Sequence, residues 1–283
     1  MKNSILIFFL FSCYTVTLRA QDIYYSNYPQ HQFFYNPAFA GVDSTHDFSV
    51  SGRARYGSIS SHGNYHDAMF SYNQPICHSK SGIGAIVTYQ NGGDFHRYLL
   101  ALAYNYKIKL AEKMNLRIGA SAIQEFYHQD ESFSGWGGSP AIDRTFFDVS
   151  AGFEYDWKNF FLGFSVKHIL KPKETFYENK VYAAKFLTAG YKINVCNSFS
   201  TTPSVLLIYQ GPAQQLQFAN DMVFKKTFLL GVGIIYNEAV SPRVGICLKN
   251  KLQAMISYDI TTSTLALPTN GQGAFEANIQ YRF

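Results

Sequence analysis

The feature that most constrains the fold is the restriction of charge to one face of segments that alternate with a period of two. In "KLQAMISYDI", the apolar Leu252, Ile256 and Tyr258 alternate with a polar face that includes Lys251 and Asp259. A two-residue period indicates a β-strand. Lipid would impose this segregation, because Lys or Arg on the bilayer side near the midplane costs roughly 2 to 4 kcal/mol. A soluble sandwich with an inward apolar face is the alternative.

Fourteen segments have strand character, and most are near the 9 to 11 residues of a tilted membrane strand. The composition agrees, with 17% aromatic and only 15% charged residues, against a usual charged share of roughly 25%. The predicted strands are 47–57, 64–74, 82–90, 96–108, 114–127, 144–156, 159–170, 185–194, 199–209, 214–225, 227–236, 240–249, 251–260 and 273–283.

Short and long links alternate between these segments. One pair is joined by a very short link at Lys158, whereas the links at 128–143 and 171–184 are long and polar. Outer-membrane barrels have this asymmetry, with tight periplasmic turns and longer external loops. The sequence therefore predicts an all-β fold, a transmembrane antiparallel up-and-down β-barrel of about 14 strands.

The last segment, "FEANIQYRF", alternates up to Phe283. We expect it to pair with the first strand, because a closed barrel leaves no unpaired N–H and C=O groups in lipid. It also resembles the terminal signal that outer-membrane assembly machinery recognises. An ordinary edge strand of a soluble sheet is the alternative.

Residues 1–20 resemble a secretory signal peptide, with Lys2 before the apolar run 5–11 and a cleavage site after Ala20. A lipoprotein site at Cys13 is the less favoured alternative. We predict export through the general secretory pathway to the cell outer membrane, an N-terminal segment at 21–45 and a barrel at 46–283. Loss of two basic residues lowers the net charge from +5 to +3, so no nucleic-acid partner is indicated.

Alternation places a mixed set of charged side chains on the inner face. Both signs occur together, which favours ion pairs across the lumen over a wide diffusion pore, although fourteen strands leave room for water or a ligand. The predicted lumenal charges are Arg53, Arg55, Asp67, Arg117, Asp148, Lys167, Arg243 and Asp259, with Glu125, Glu154 and Lys251.

No common catalytic or nucleotide-binding motif occurs. His128, Asp130, Glu131 and Asp143 lie near Ser132 and Ser134 and would suit acid–base chemistry, but polar loop residues are usually only solvated. His46, His62 and His66 have no spacing that fixes a metal geometry. We therefore predict no enzyme activity, no cofactor and no metal site.

Three stretches in the first hundred residues resemble one family. They are "NPAFAG" (Asn36, Pro37, Ala38, Phe39, Ala40, Gly41), "FSYNQPI" (with Ser71, Tyr72, Gln74 and Pro75) and the glycine-spaced "GIGAIVTYQNGGD". They are similar, in order and position, to the PorP/SprF family of outer-membrane barrels associated with type IX secretion. Beyond Asp94 the resemblance is architectural.

The resemblance implies a non-catalytic outer-membrane component that helps to export or attach a large surface adhesin. Its implied partners are outer-membrane lipids, the adhesin cargo, and periplasmic type IX components or a peptidoglycan-binding lipoprotein. A porin or a transporter of small or hydrophobic molecules is the alternative. Phe133 and Trp136 are candidate cargo contacts, because exposed aromatic residues often carry interface energy.

The segment 21–45 is aromatic without strand alternation. We expect it to fold back and bury Phe33, Phe34, Tyr35 and Phe39, either as a plug or as a surface for partner docking. A mobile leader is the alternative.

Overall fold

The computed structural model describes residues 24–42, 45–55, 65–93, 95–134, 137–139, 141–173, 181–263 and 273–283. The predicted signal peptide, residues 1–20, lies outside these ranges. No helix within the described ranges is long and apolar enough to cross a membrane.

Of the seventeen strands in the described ranges, fifteen belong to one antiparallel sheet. Strands β10 and β11 follow each other and both pair with β12, so they form one strand of the barrel. The barrel therefore has the fourteen strands that the sequence predicts. The bounds are β1 (Asp47–Arg55), β2 (Tyr65–Ile76), β3 (Ser81–Asn91), β4 (Phe95–Ala111), β5 (Met114–Gln129), β6 (Ser132–Ser134), β7 (Gly137–Ser139), β8 (Ile142–Trp157), β9 (Phe160–Lys167), β10 (Ala184–Tyr191), β11 (Ile193–Cys196), β12 (Phe199–Gln210), β13 (Ala213–Phe224), β14 (Phe228–Ile235), β15 (Ala239–Leu248), β16 (Leu252–Thr261) and β17 (Ala274–Arg282).

The sheet closes on itself through its first and last strands. β1 pairs with β17 in a continuous register from Asp47 opposite Arg282 to Arg55 opposite Ala274. Each neighbouring pair along the chain is antiparallel, so the ladder has no open edge in the bilayer. The predicted closed barrel is confirmed.

The two faces of the sheet differ in the way that lipid requires. In β4, Leu100 and Leu102 are exposed on the outside, whereas the alternating Leu99 and Ala101 are buried. Exposed aromatic side chains lie near both ends of the strands, including Tyr98 and Tyr258 at one end and Tyr106 and Trp157 at the other. Such girdles are typical of the boundary between hydrocarbon and headgroups.

The ends of the barrel also differ. One end, called the turn end here, carries short connections such as Cys77–Lys80 and Lys225–Thr227 together with the start of β1 and the end of β17. The other, the loop end, carries most of the longer connections. The turn end is the periplasmic side in outer-membrane barrels.

Some local expectations were wrong. Part of the predicted loop 128–143 forms a small hairpin of β6 and β7. The predicted strand 159–170 ends at Lys167, because His168 has φ of 58° and its Nδ1 lies 2.6 Å from Asp148 Oδ2. Phe161 lies against the ring of Phe39 on the inside of the barrel.

Candidate functional site: a plug inside the barrel

Residues 24–42, called the plug here, lie inside the barrel in three short turns. These are a 3-10 turn at Tyr28–Gln30, one α-helical turn at Gln32–Tyr35 and a second 3-10 turn at Pro37–Phe39. Proline stands at the start of both 3-10 turns, where its missing N–H costs nothing. The segment has no strand alternation to place it in the sheet, so it packs across the lumen.

Asn36 fixes the turn of the predicted "NPAFAG" motif. Its Oδ1 accepts a hydrogen bond from Ala38 N at 3.0 Å, which caps the following turn. Its Nδ2 donates to Phe153 O at 2.9 Å and lies 3.4 Å from Phe164 O. One buried amide thus joins the plug to strands β8 and β9.

The rest of the motif packs backbone to backbone against the wall. Ala38 and Ala40 are fully buried, and Asn105 Nδ2 donates to both of their carbonyl oxygens. Gly41 has φ of +62°, and its N–H donates to Asn73 Oδ1 at 2.9 Å. A Cβ on Gly82 would collide with the carbonyl of Ala40. Small residues are therefore required on both sides of this contact.

Aromatic side chains fill the lumen beside this contact. Tyr25 and Tyr35 are buried, and the Tyr35 hydroxyl accepts from Tyr25 N at 2.8 Å. Tyr28 Oη lies 2.7 Å from Ser204 Oγ in the opposite wall. Burial raises the pKa of Tyr28 and Tyr35 above the ordinary value for tyrosine, so both phenols stay neutral hydrogen-bonding groups.

A buried ionic cluster holds the first half of the plug. Arg53 pairs with Asp259 at 2.9 Å and lies 4.0 Å from Glu276. Glu276 also accepts from Ser26 N at 3.1 Å and lies 3.0 Å from His31 Nε2. Arg53 additionally donates to Tyr24 O. Charges from three strands thus converge on residues 24–31 of the plug.

A second arginine continues this cluster. Arg243 pairs with Asp221 at 3.1 Å and donates to Ser26 O at 2.6 Å. A buried ion pair is costly to break because the remaining charge stays in a poorly solvated site. Through Ser26 and His31, the plug is therefore attached to charged side chains that are buried in the lumen.

The structure places the remaining lumenal charges as follows. Arg55 lies 3.2 Å from Asp67, Arg117 pairs with Glu154 and Asp156, and Asp148 contacts His168. Lys167 Nζ lies 5.5 Å from the ring centre of Phe34 in the plug, and Arg97 lies 3.8 Å from Glu125. The inward position expected for Lys251 was wrong, because Lys251 is exposed in the turn before β16.

The second family-like stretch borders the plug. Ser71 is buried in the lumen, and the carbonyl of Gln74 lies where a side chain on Gly41 would have to go. The Tyr72 hydroxyl donates to Gln74 Oε1 at 2.9 Å and lies 2.8 Å from His46 Nδ1. Pro75 lies opposite Gly82 in the β2–β3 pair.

The two proposed cargo contacts are Phe133 and Trp136. Phe133 lies in β6, and Trp136 lies outside the described residues. At the end of β5, His128 contacts Asp143 at 2.7 Å and Asp130 at 3.1 Å. Within the described ranges, no three His, Cys, Asp or Glu side chains are arranged to hold a metal ion.

Several residues of the plug site were not predicted from the sequence. His31, Asn105 and Glu276 each contact a partner that is distant along the chain. Glu276 and Asn105 had a usable signal, because each lies on the inward face of an alternating strand, whereas His31 had none.

Cavities of different size lie beside the described residues of the plug. Two cavities between the plug and the wall near Phe34 have volumes of about 20 and 30 Å³, which is room for only one or two water molecules. A wider cavity of about 130 Å³ lies towards the turn end, beside His31, Asp47 and Arg282.

Comparisons with known proteins agree with this architecture. The toluene transporter TbuX of Ralstonia pickettii has a TM-score of 0.55 at 10% identity, over 89% of this chain and 93% of the transporter. A FadL homologue of Pseudomonas aeruginosa has a TM-score of 0.50 at 11% identity, over 88% and 93% of the chains. The TodX deltaS2S3 mutant monoaromatic hydrocarbon channel has a TM-score of 0.53 at 9% identity, again over 88% and 93%. Identities this low show a shared barrel fold alone.

Sequence comparison goes further than the fold. A search of the curated proteins finds no match. The model of a family described as type IX secretion system membrane protein PorP/SprF matches residues 17–281. The match includes the plug and nearly all of the barrel, and the chain therefore belongs to the PorP/SprF family of type IX secretion system membrane proteins.

Proposed function

We propose that this protein is a non-catalytic outer-membrane component of a type IX secretion system. In this role it assists the export or surface attachment of a large adhesin-type cargo, and it links the outer membrane to secretion machinery in the periplasm. Membership of the PorP/SprF family supports the secretion role.

The observation that carries the proposal is the filled lumen. Buried ion pairs from Arg53, Asp259 and Glu276 hold the plug across the barrel. A barrel used for free diffusion needs an open water-filled path. A barrel with its interior filled is instead a rigid membrane anchor that presents its turns and loops to other proteins.

A strain that lacks this gene tests the proposal. We expect large surface proteins to disappear from the cell surface and to accumulate in the periplasm, as measured by surface proteomics and cell fractionation. Reintroduction of the unchanged gene should restore the surface profile. An unchanged surface profile in the deletion strain would rule out the secretion role.

Transport of a small apolar molecule is the second candidate. Its support is the fold likeness to the toluene transporter TbuX and the monoaromatic hydrocarbon channel TodX. Uptake of radiolabelled toluene by the deletion strain separates the candidates. Transport requires slower uptake than in the parent strain, whereas the secretion role requires equal uptake.

A further inference from the structure

The turn end carries a ring of lysines for which the described part of the chain offers no counter-charge. The ten lysines are Lys80, Lys107, Lys109, Lys113, Lys158, Lys192, Lys225, Lys226, Lys249 and Lys251. All but the half-buried Lys107 are exposed, and no ion pair joins any of them to another described residue. Lys158 and Lys225 only cover the rings of Trp157 and Phe224.

The few acids at this end do not offset the ring. Asp47 accepts from Arg282, and Asp156 is held by Arg117 and Asn115. Among the described residues of the turn end, Glu112 is the exposed acid without an ion pair. The cations in the lumen are therefore paired with lumenal acids, whereas the lysine ring gives the mouth of the barrel a strong positive electrostatic potential.

The lysines that lie within a strand face the mouth. Lys107 and Lys109 continue the inward face of β4, on which Ala103 and Asn105 are buried. The lipid-facing side at the same height carries Ile108 and other apolar or aromatic residues. Because these side chains point towards the mouth, we expect them to contact a partner that covers the mouth rather than lipid headgroups around the rim.

The ring encloses a basin of about 430 Å³ on one side of the mouth, beside β11 to β16. Lys192, Lys226 and Arg282 line it, and no described acidic residue does. Val223 and Leu229 supply apolar surface in the same basin. The volume lies within the range of ligand-binding clefts.

We propose that this basin binds an acidic extended segment of a periplasmic protein. Carboxylates of that segment pair with Lys192 and Lys226, and an apolar side chain of it contacts Val223 and Leu229. The inference rests on the proposed function, which makes the partner a protein. It adds the chemistry by which that protein is recognised. Long-range attraction by the ring speeds encounter, and this effect weakens with salt.

A binding assay with the full-length protein tests the inference. The protein is placed in nanodiscs of phosphatidylcholine, and the probe is a fluorescein-labelled peptide of eight glutamates with a central leucine, followed by anisotropy. We expect saturable binding that weakens as sodium chloride rises from low to physiological concentration. The double variant Lys192→Glu with Lys226→Glu should raise Kd by at least about tenfold.

A matched pair of lysines shows whether the basin matters. Lys80→Glu with Lys113→Glu changes the same charge at the turns after β2 and β4, outside the basin, and should raise Kd by less than about threefold. Equal losses in both double variants would overturn the basin as the site. Heat-modifiable migration on gels confirms that each variant is folded.

Two other partners are distinguishable. If the lysines serve anionic lipid, the peptide will not bind, and Lys192→Glu with Lys226→Glu will abolish a preference for phosphatidylglycerol nanodiscs. If the lysines bind the cell wall instead, the protein will sediment with peptidoglycan sacculi and will not bind the peptide. Either result overturns the proposal.

The inference and the proposed function fail separately. Normal surface proteins in the deletion strain would remove the secretion role but leave the measured peptide binding intact. Export that requires the gene but is unaffected by Lys192→Glu with Lys226→Glu would overturn the basin alone.

Discussion

Asn36 links sequence to packing at the scale of a single residue. Pro37 disfavours the helical region for the residue before it, and Asn36 is extended at φ −145° and ψ 116°. This conformation lets one side chain cap the next turn and reach carbonyls of β8 and β9. The motif thus holds the turn at Pro37–Phe39 against the barrel wall.

Gly82→Val tests the close approach of the plug to the wall. The new side chain would meet the carbonyl of Ala40, and we expect a loss of about 1 to 3 kcal/mol from overpacking. The measurements are urea unfolding and chymotrypsin cleavage within residues 24–42, which should become faster. Gly52→Val is the control, because a Cβ on Gly52 has open space. Equal cleavage of both variants would contradict the packing described for Ala40.

Glu276→Gln tests the ionic cluster. Glu276 is buried and contacts Arg53, His31 and the backbone of Ser26. Removing one partner of a buried pair costs about 3 to 5 kcal/mol, because the opposite charge loses compensation. We expect faster hydrogen exchange at Ser26 and earlier unfolding in urea.

Glu112→Gln is the matched control for that change, because Glu112 lies exposed in a turn. Its effect should stay within about 0.5 kcal/mol. If Glu276→Gln were equally mild, the cluster would contribute nothing to holding the plug.

At the scale of elements, strands were far more predictable than the plug. The strand bounds match the sequence prediction to within three residues. The reason is that residues facing lipid and residues facing the lumen alternate along each strand, so the pattern is visible in the sequence itself. Pairing follows as well, since hairpin neighbours are adjacent in sequence. The break at Lys192 was missed because it does not change the alternation, and the hairpin of β6 and β7 was missed because strands of three residues are too short to show a period.

The path of the plug was not predictable from local patterns. Ser26 contacts Glu276 across 250 positions, and Asn36 contacts Phe153 across 117. Such contacts depend on where the closed barrel brings its inner faces together. The sequence predicted that residues 21–45 fold back, but it held no periodic signal for their partners.

Deletion of residues 24–42 tests the plug as an element. We expect a large steady conductance in planar bilayers from the shortened chain, since a fourteen-stranded lumen without its filling admits water. The full-length protein should show little conductance. Heat-modifiable migration on gels establishes that the shortened chain is still a folded barrel. A full-length protein that conducts equally well would show that the plug does not close the lumen.

At the scale of the whole molecule, charge is sorted by compartment. The outer face is mostly apolar, charged side chains in the lumen pair with one another, and ten lysines without an ion pair to another described residue lie at the turn end. Short turns indicate that this end faces the periplasm. The docking inference therefore requires this orientation in the cell.

The cysteines make the orientation measurable, because Cys77 and Cys196 are exposed at the turn end and Cys247 is partly exposed there. We expect a membrane-impermeant maleimide to leave the protein unlabelled in intact cells and to label it after permeabilisation of the outer membrane. Lys171→Cys, exposed at the loop end, should be labelled in intact cells and serves as the positive control. Rapid labelling of the unchanged protein in intact cells would place the lysine ring outside the cell. The basin would then face the medium, where a periplasmic segment has no access to it.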